Sequence, residues 1–282
     1  MCAKKKNLYH YLIFLSFLSL SQLQFCKSKD YVARRINGAK KQRAAQTNYI
    51  SGFITSCGQN IFLLHKNLFH LDTLKVAAPI IPAVLTSYYF DDKIQSHFYD
   101  PTHHKNIHQT PFWLHRAAQH ATGPTIAFLF LQGLFSTNKD LNYTSHIMLI
   151  GVPILNFMNQ FIKKLDLDIC RRPWHEDFSR HKRSLGGFPS GHLSHATYLA
   201  VLYGVRHGYK YALPLSCMSC FIGTIFLVNN RHYLSQLCAG VGFGAAYGLA
   251  ANKVVDYHLE ESVTIQPQYS DNQIGLKVSW QF

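Results

Sequence analysis

Apolar residues along this chain gather into six long segments set apart by polar stretches: Leu74–Phe90, Thr125–Phe135, Ile147–Ile162, Ala196–Val205, Ala212–Val228 and Cys238–Val254. Few show the apolar–polar alternation of a strand. Most are rich in Ala, Leu and Gly, which suit close helix contact. The pattern predicts an all-α protein, a helical bundle of about six core helices. The end of the chain differs. Val263–Gln266 and Gly275–Phe282 alternate on either side of Ser270-Asp271-Asn272, which predicts a small C-terminal β-hairpin.

Few of these segments reach the roughly 20 residues that a membrane span needs. Ile147–Ile162 also carries Asn156, Asn159 and Gln160. A compact bundle at a membrane surface is therefore expected in preference to six full spans, with Ala212–Val228 the strongest candidate span. Before the bundle, Lys4-Lys5-Lys6 precedes an apolar run from Leu12 to Leu20 and a polar stretch leading to Cys26-Lys27-Ser28. That layout predicts a signal peptide over residues 1–28 and an exported protein, periplasmic or membrane-associated. Phe25 argues against lipidation of Cys26. The expected organisation continues with a basic lead-in and first helix over 29–73, the bundle over 74–258 and the hairpin tail over 259–282. No internal repeat is evident.

Composition sharpens the choice of partner. Hydrophobic residues make up 48% of the 282, enough for a sizeable core, and charged residues only 15%. The net charge of +14 favours anionic partners such as phospholipid headgroups or phosphorylated small molecules. No nucleic-acid-binding motif is present, so nucleic acid is not an expected partner. Cys217 and Cys220 lie in an apolar helical run and read as small core residues. No full zinc-ligand set is evident. The stretch from Asp91 to His120 holds His97, His103, His104, His108, His115 and His120 and reads as an exposed loop, without the acidic or cysteine partners a metal would need. No metal site and no cofactor are expected.

The candidate chemistry lies in three places. Pro189-Ser190-Gly191-His192 precedes an apolar helical run, so Ser190 is well placed as its N-cap, and the helix start suits an anion. Gly191 lets the backbone approach closely, and His192 falls in the first turn. Upstream, Lys164 and Arg171-Arg172-Pro173 offer cations for phosphate oxygens, with Pro173 expected to end the preceding helix. Downstream, His232 follows the run Ala212–Val228. Gln236, four residues on, can hold the imidazole in one tautomer. Two histidines, a serine and arginines can move a phosphoryl group without a metal, one histidine attacking phosphorus and the other protonating the leaving oxygen.

In these motifs the chain resembles the type 2 phosphatidic acid phosphatase superfamily, which includes bacterial acid phosphatases and vanadium haloperoxidases; the likeness spans roughly Leu74 to Val254. The layout is similar to the periplasmic bacterial branch. The resemblance implies that Lys164, Arg172, Ser190 and Gly191 bind phosphate, that His192 is the general acid and that His232 is the nucleophile, giving a metal-independent phosphatase acting on a phosphomonoester or pyrophosphate, plausibly lipid-linked. Three positions depart from the family pattern. Lys164 stands one residue too far from Arg172. Phe226 occupies the place of an arginine six residues before His232, and Arg231 would point elsewhere on a continuous helix. Gln236 stands where the family has aspartate, so Gln236→Asp is expected to be faster. These departures also motivate a second expectation, an impaired member that binds phosphate or phospholipid without turnover. The sequence leaves oligomeric state open.

Overall fold

The computed structural model describes residues 57–100, 102–103, 105–107, 110–165, 167–173, 186–260, 263–270 and 273–280. The expected signal peptide, Cys26 and His104 and His108 lie outside them. The chain divides into two units, Met1–Phe62 and Leu63–Phe282.

The second unit is mostly α-helical among the described residues. Its helices are α1 (Leu71–Ala77), α2 (Ile80–Gln95), α3 (Phe112–His120), α4 (Thr122–Phe135), α5 (Lys139–Lys163), α6 (Gly191–His207), α7 (Tyr209–Val228) and α8 (Leu234–Glu260). Each of the six apolar segments falls within these helices, with one interruption. Leu74–Phe90 is broken between α1 and α2, because Pro79 has no N–H to continue the ladder and instead stands at the N-cap of α2. Two short strands, β1 (Tyr99–Asp100) and β2 (Lys105–Asn106), pair antiparallel. Near the end of the chain, β3 (Val263–Ser270) and β4 (Gln273–Trp280) also pair antiparallel, from Val263 opposite Trp280 to Ser270 opposite Gln273.

Helix α6 is the centre of the bundle, packed by α5, α7 and α8. Its approach to α8 is the closest, and glycines make it so. A Cβ on Gly240 would stand 2.8 Å from the Ser190 carbonyl oxygen, and one on Gly248 would stand 2.9 Å from the Val201 Cβ. Gly244 lies between them on the same face, against the Ser194 carbonyl. A small residue every four positions lets two helix backbones meet along their length. Leu193, Ala196, Ile222, Phe226 and Leu237 form a buried apolar cluster between α6, α7 and α8. Tyr198 is fully buried and its hydroxyl donates to the Ile147 carbonyl of α5 at 3.3 Å.

Among the described residues, three single helices, α5, α7 and α8, are long and apolar enough to cross a membrane. The expected preference for a surface-bound bundle rests on short apolar runs and on Asn156, Asn159 and Gln160. Those three residues sit near the C-terminal end of α5, not its middle, and the helices extend beyond the apolar runs. Apolar side chains also face outward, among them Phe128, Phe135, Phe157, Phe161 and Leu213. Together the three helices and this outward apolar surface suit association with a membrane.

Candidate active site

The three chemical segments converge at the N-terminus of α6, and Gln236 is the residue that joins them. Its side chain is completely buried. The Nε2 amide donates to the Ile169 carbonyl at 3.3 Å and also to the Arg171 carbonyl, both in the segment between α5 and α6. Its Oε1 lies 3.1 Å from Nδ1 of His232. Its own carbonyl accepts from the Ser190 N–H at 3.0 Å. Two carbonyl acceptors on the amide nitrogen leave only one workable orientation for the amide, with oxygen toward the histidine. The imidazole must therefore carry its proton on Nδ1, which leaves the Nε2 lone pair available.

Backbone geometry sets His232 in place. Helix α7 ends at Val228, and Asn230 takes the left-handed conformation with φ 53°, a region where asparagine is tolerated better than most residues. The chain reverses there, and the N–H groups of Arg231 and His232 return to the Phe226 carbonyl at 2.9 and 3.4 Å. On the far side, Asp91 of α2 caps the first turn of α8. It accepts from the Ser235 N–H at 3.0 Å and from the Ser235 hydroxyl. Tyr233 donates to Asp92 at 3.1 Å, and Arg171 lies 3.5 Å from the same carboxylate. His232 is thus held between a fixed turn and a fixed helix start.

Phe226 is buried and lies between the two histidines. Its ring stacks on His232 at 5.7 Å between centroids and meets His192 edge-on at 5.3 Å. The side chain in the arginine's place therefore contributes a wall, not a charge.

Cations reach the site from other positions. Arg172 donates to the Gly186 carbonyl at 3.0 Å and to the Arg231 carbonyl at 3.3 Å, which ties the segment before α6 to the turn before His232. Lys164 is exposed at the C-cap of α5. Its neighbour Lys163 does the reaching: Nζ lies 3.3 Å from where a Cβ on Gly191 would stand. Helix α5 ends at Lys163, ten residues before Pro173, so Pro173 does not end that helix. Arg231 does not point away on a continuous helix, because the helix has already ended and the Asn230 turn brings it back.

Both histidines lie outside the three long apolar helices, and both are held neutral. Burial is the main cause at each. His192 is pushed down to about 4, with neighbouring His195, Lys163, Arg231 and His120 adding to the lowering. His232 is lowered well below the usual imidazole range by burial, Arg172 and Lys163, against a smaller raising effect from Gln236. A neutral His232 is the form that can attack phosphorus. A neutral His192 must gain a proton to act as an acid, and a bound anion would favour that gain.

Ser190 stands at the N-cap of α6 as expected, but its side chain makes no cap bond. Among the described residues its buried hydroxyl has no hydrogen-bond partner. Together with the close lysine at Gly191, this leaves the Ser190 hydroxyl and the Lys163 ammonium beside a helix N-terminus, an arrangement that suits an anion. The stretch read as a histidine-rich loop is partly helix: α3 sets His115 at 6.2 Å from the Phe226 ring, and His120 acts on His192. Among the described residues no group of three His, Cys, Asp or Glu side chains is arranged to hold a metal ion.

No family model matches the chain, and no curated protein matches it. A solved structure is similar to it, that of the first transmembrane PAP2 type phosphatidylglycerolphosphate phosphatase from Bacillus subtilis, with a TM-score of 0.43 and 20% sequence identity over 69% of this chain and 94% of that chain.

Proposed function

We propose that this chain is a membrane-associated, metal-independent phosphatase of the type 2 phosphatidic acid phosphatase kind. Its substrate is a phosphomonoester or pyrophosphate carried on a lipid. The observation that supports this most is the position of Gln236, which binds His232, the Arg171 segment and Ser190 at once. In the proposed reaction, Nε2 of His232 forms a bond to phosphorus as the bond to the leaving oxygen breaks, and His192 gives that oxygen its proton. Water, losing a proton to His192, then displaces His232 and releases phosphate. Ser190, Gly191, Lys163 and Arg172 would hold the non-bridging oxygens. The apolar outer surface would keep the site close to a lipid substrate.

Phe226, set between the two imidazoles, favours a second reading in which the site binds phosphate without turning it over. One experiment separates the two. Purified full-length protein in detergent is assayed with phosphatidate, a prenyl pyrophosphate and a chromogenic phosphate, with EDTA present. Hydrolysis is expected, and His232→Ala should lower it by on the order of 10⁴-fold or more, as loss of a nucleophile does. Absence of hydrolysis on all three substrates, with vanadate still bound, would replace the first reading by the second.

A further inference from the structure

Asn159 is a buried polar residue of the apolar helix α5 that has no part in the phosphoryl transfer proposed for the two histidines. It lies one turn before Lys163, so the two share a face. It is 1% exposed, and among the described residues its buried Nδ2 has no hydrogen-bond partner. That nitrogen stands 4.0 Å from where a Cβ on Gly191 would be, the same place that Lys163 Nζ approaches to 3.3 Å. The amide's other end is engaged, with Oδ1 3.5 Å from the Ser194 hydroxyl. A primary amide buried with an unsatisfied donor costs stability, because its desolvation is not repaid. Polar groups retained within apolar helices under that cost mark functional positions.

We propose that Asn159 is an anion-binding residue of this site, donating from Nδ2 to a phosphoryl oxygen held at the start of α6. This rests on the site's binding a phosphoryl group, though not on its turning one over. With Asn159, three donors of different kinds meet around Gly191: a neutral amide, the Ser190 hydroxyl and the Lys163 ammonium. The two orphaned atoms, Asn159 Nδ2 and Ser190 Oγ, are then explained together, since one tetrahedral anion satisfies both. Gly191 fits the same site, because any side chain there would fill the space the anion needs.

The test uses orthovanadate binding and thermal unfolding of the full chain in detergent. Asn159→Leu keeps the branched heavy-atom shape and removes the orphaned donor. It is expected to weaken vanadate affinity by about tenfold or more, the worth of one hydrogen bond to a charged group, and to raise the Tm of the free protein. A merely structural asparagine would do the reverse, lowering Tm and leaving affinity unchanged, and that result would overturn the proposal. Asn159→Asp, nearly identical in shape, is the second variant. Its carboxylate beside the anion should weaken binding more than Asn159→Leu does, and unchanged affinity in Asn159→Asp would also overturn it. Hydrolysis is scored separately. Weakened vanadate binding in a chain that hydrolyses nothing upholds Asn159 while removing the phosphatase reading. Hydrolysis with vanadate affinity untouched by either variant does the opposite.

Discussion

The two ends of α6 are built on opposite plans. At its C-terminal end Arg206 is enclosed by acceptors: Asp140 of α5 at 2.8 Å, Asp256 of α8, and the Asn252 side chain at 3.2 Å. His207, beside it, meets the Thr144 hydroxyl at 3.2 Å, and that hydroxyl in turn donates to the Asp140 carbonyl at 2.7 Å. Charge is matched by charge, and three helices are pinned together. At the N-terminal end, about 25 Å away for 17 helical residues, several polar groups converge without satisfying one another. Ser190 Oγ and Asn159 Nδ2 have no partners among the described residues, and two imidazoles are held neutral beside cations. One end is arranged to be stable as it stands. The other is arranged to be completed by something negative.

The sharpest way to break this contrast is at Gln236, a group of the site end that is fully satisfied. The family pattern suggests that aspartate would serve His232 better. The geometry predicts otherwise, because the amide nitrogen faces the Ile169 and Arg171 carbonyls. A carboxylate there would set negative charge against two carbonyl oxygens and release the hold on the imidazole tautomer. Turnover by Gln236→Asp and Gln236→Glu is expected to fall by about 10²–10⁴-fold, the scale set when a catalytic histidine loses its orienting partner. Gln236→Glu sharpens the point. Its carboxyl can replace the amide only while protonated, so the residual rate should fall as pH rises. A rate equal to or above wild type in either variant would show that charge, not tautomer, is what the position supplies.

The opposite end should fail differently. Arg206→Met removes a cation whose side chain is 10% exposed and leaves Asp140 and Asp256 facing each other's charge. Breaking a network with one buried cation and two partly exposed carboxylates costs about 1–2 kcal/mol, read as a lower midpoint in denaturant. Vanadate affinity of the folded protein should not change. A loss of affinity as large as that of Asn159→Leu would mean that the two ends are coupled and the contrast is false.

How much of the molecule is legible in the sequence differs between the ends as well. The helices can be read because apolar runs of this length leave little else for the chain to do. Ser190, Gly191, His192, Arg172, His232 and Gln236 can be placed in one site by their motifs. Lys163 cannot be chosen over Lys164 by counting back from Arg172, since the segment between α5 and α6 does not continue the helix and its residues do not advance at a fixed rise. A signal is nonetheless present: Asn159 and Lys163 are four apart, and Asn159 and Lys164 are not. Arg231 is misdirected by the assumption of a continuous helix, which the left-handed Asn230 breaks. At His115 and His120, polar and histidine-rich composition suggests a loop and hides a nine-residue helix.

The smallest effect expected concerns protons, and it distinguishes the ends without any loss of fold. His192 is pushed down to about 4 in the free protein, against about 6.5 for an unfolded chain. The unfolded chain therefore takes up this proton first as pH falls. The contribution of a neutral His192 to stability is complete above about pH 6.5 and is lost progressively toward about pH 4. An anion reverses the preference, because it attracts the imidazolium. Sulfate, which stays doubly charged over this interval, should bind more tightly as pH falls from 7 toward 4, by at most about tenfold per pH unit for one proton taken up. Arg231 is one of the cations that keep His192 neutral, together with Lys163, with His195 and His120 when those are protonated, and with burial as the larger cause. Arg231→Ala should raise the His192 pKa measured by NMR, by less than about one unit since burial remains, and move the onset of the sulfate effect to higher pH. Arg206→Met, at the far end of the same helix, should leave that titration where it is. If Arg206→Met moves it and Arg231→Ala does not, the cation that matters is not at the site, and the completion of this end by an anion loses its electrostatic basis.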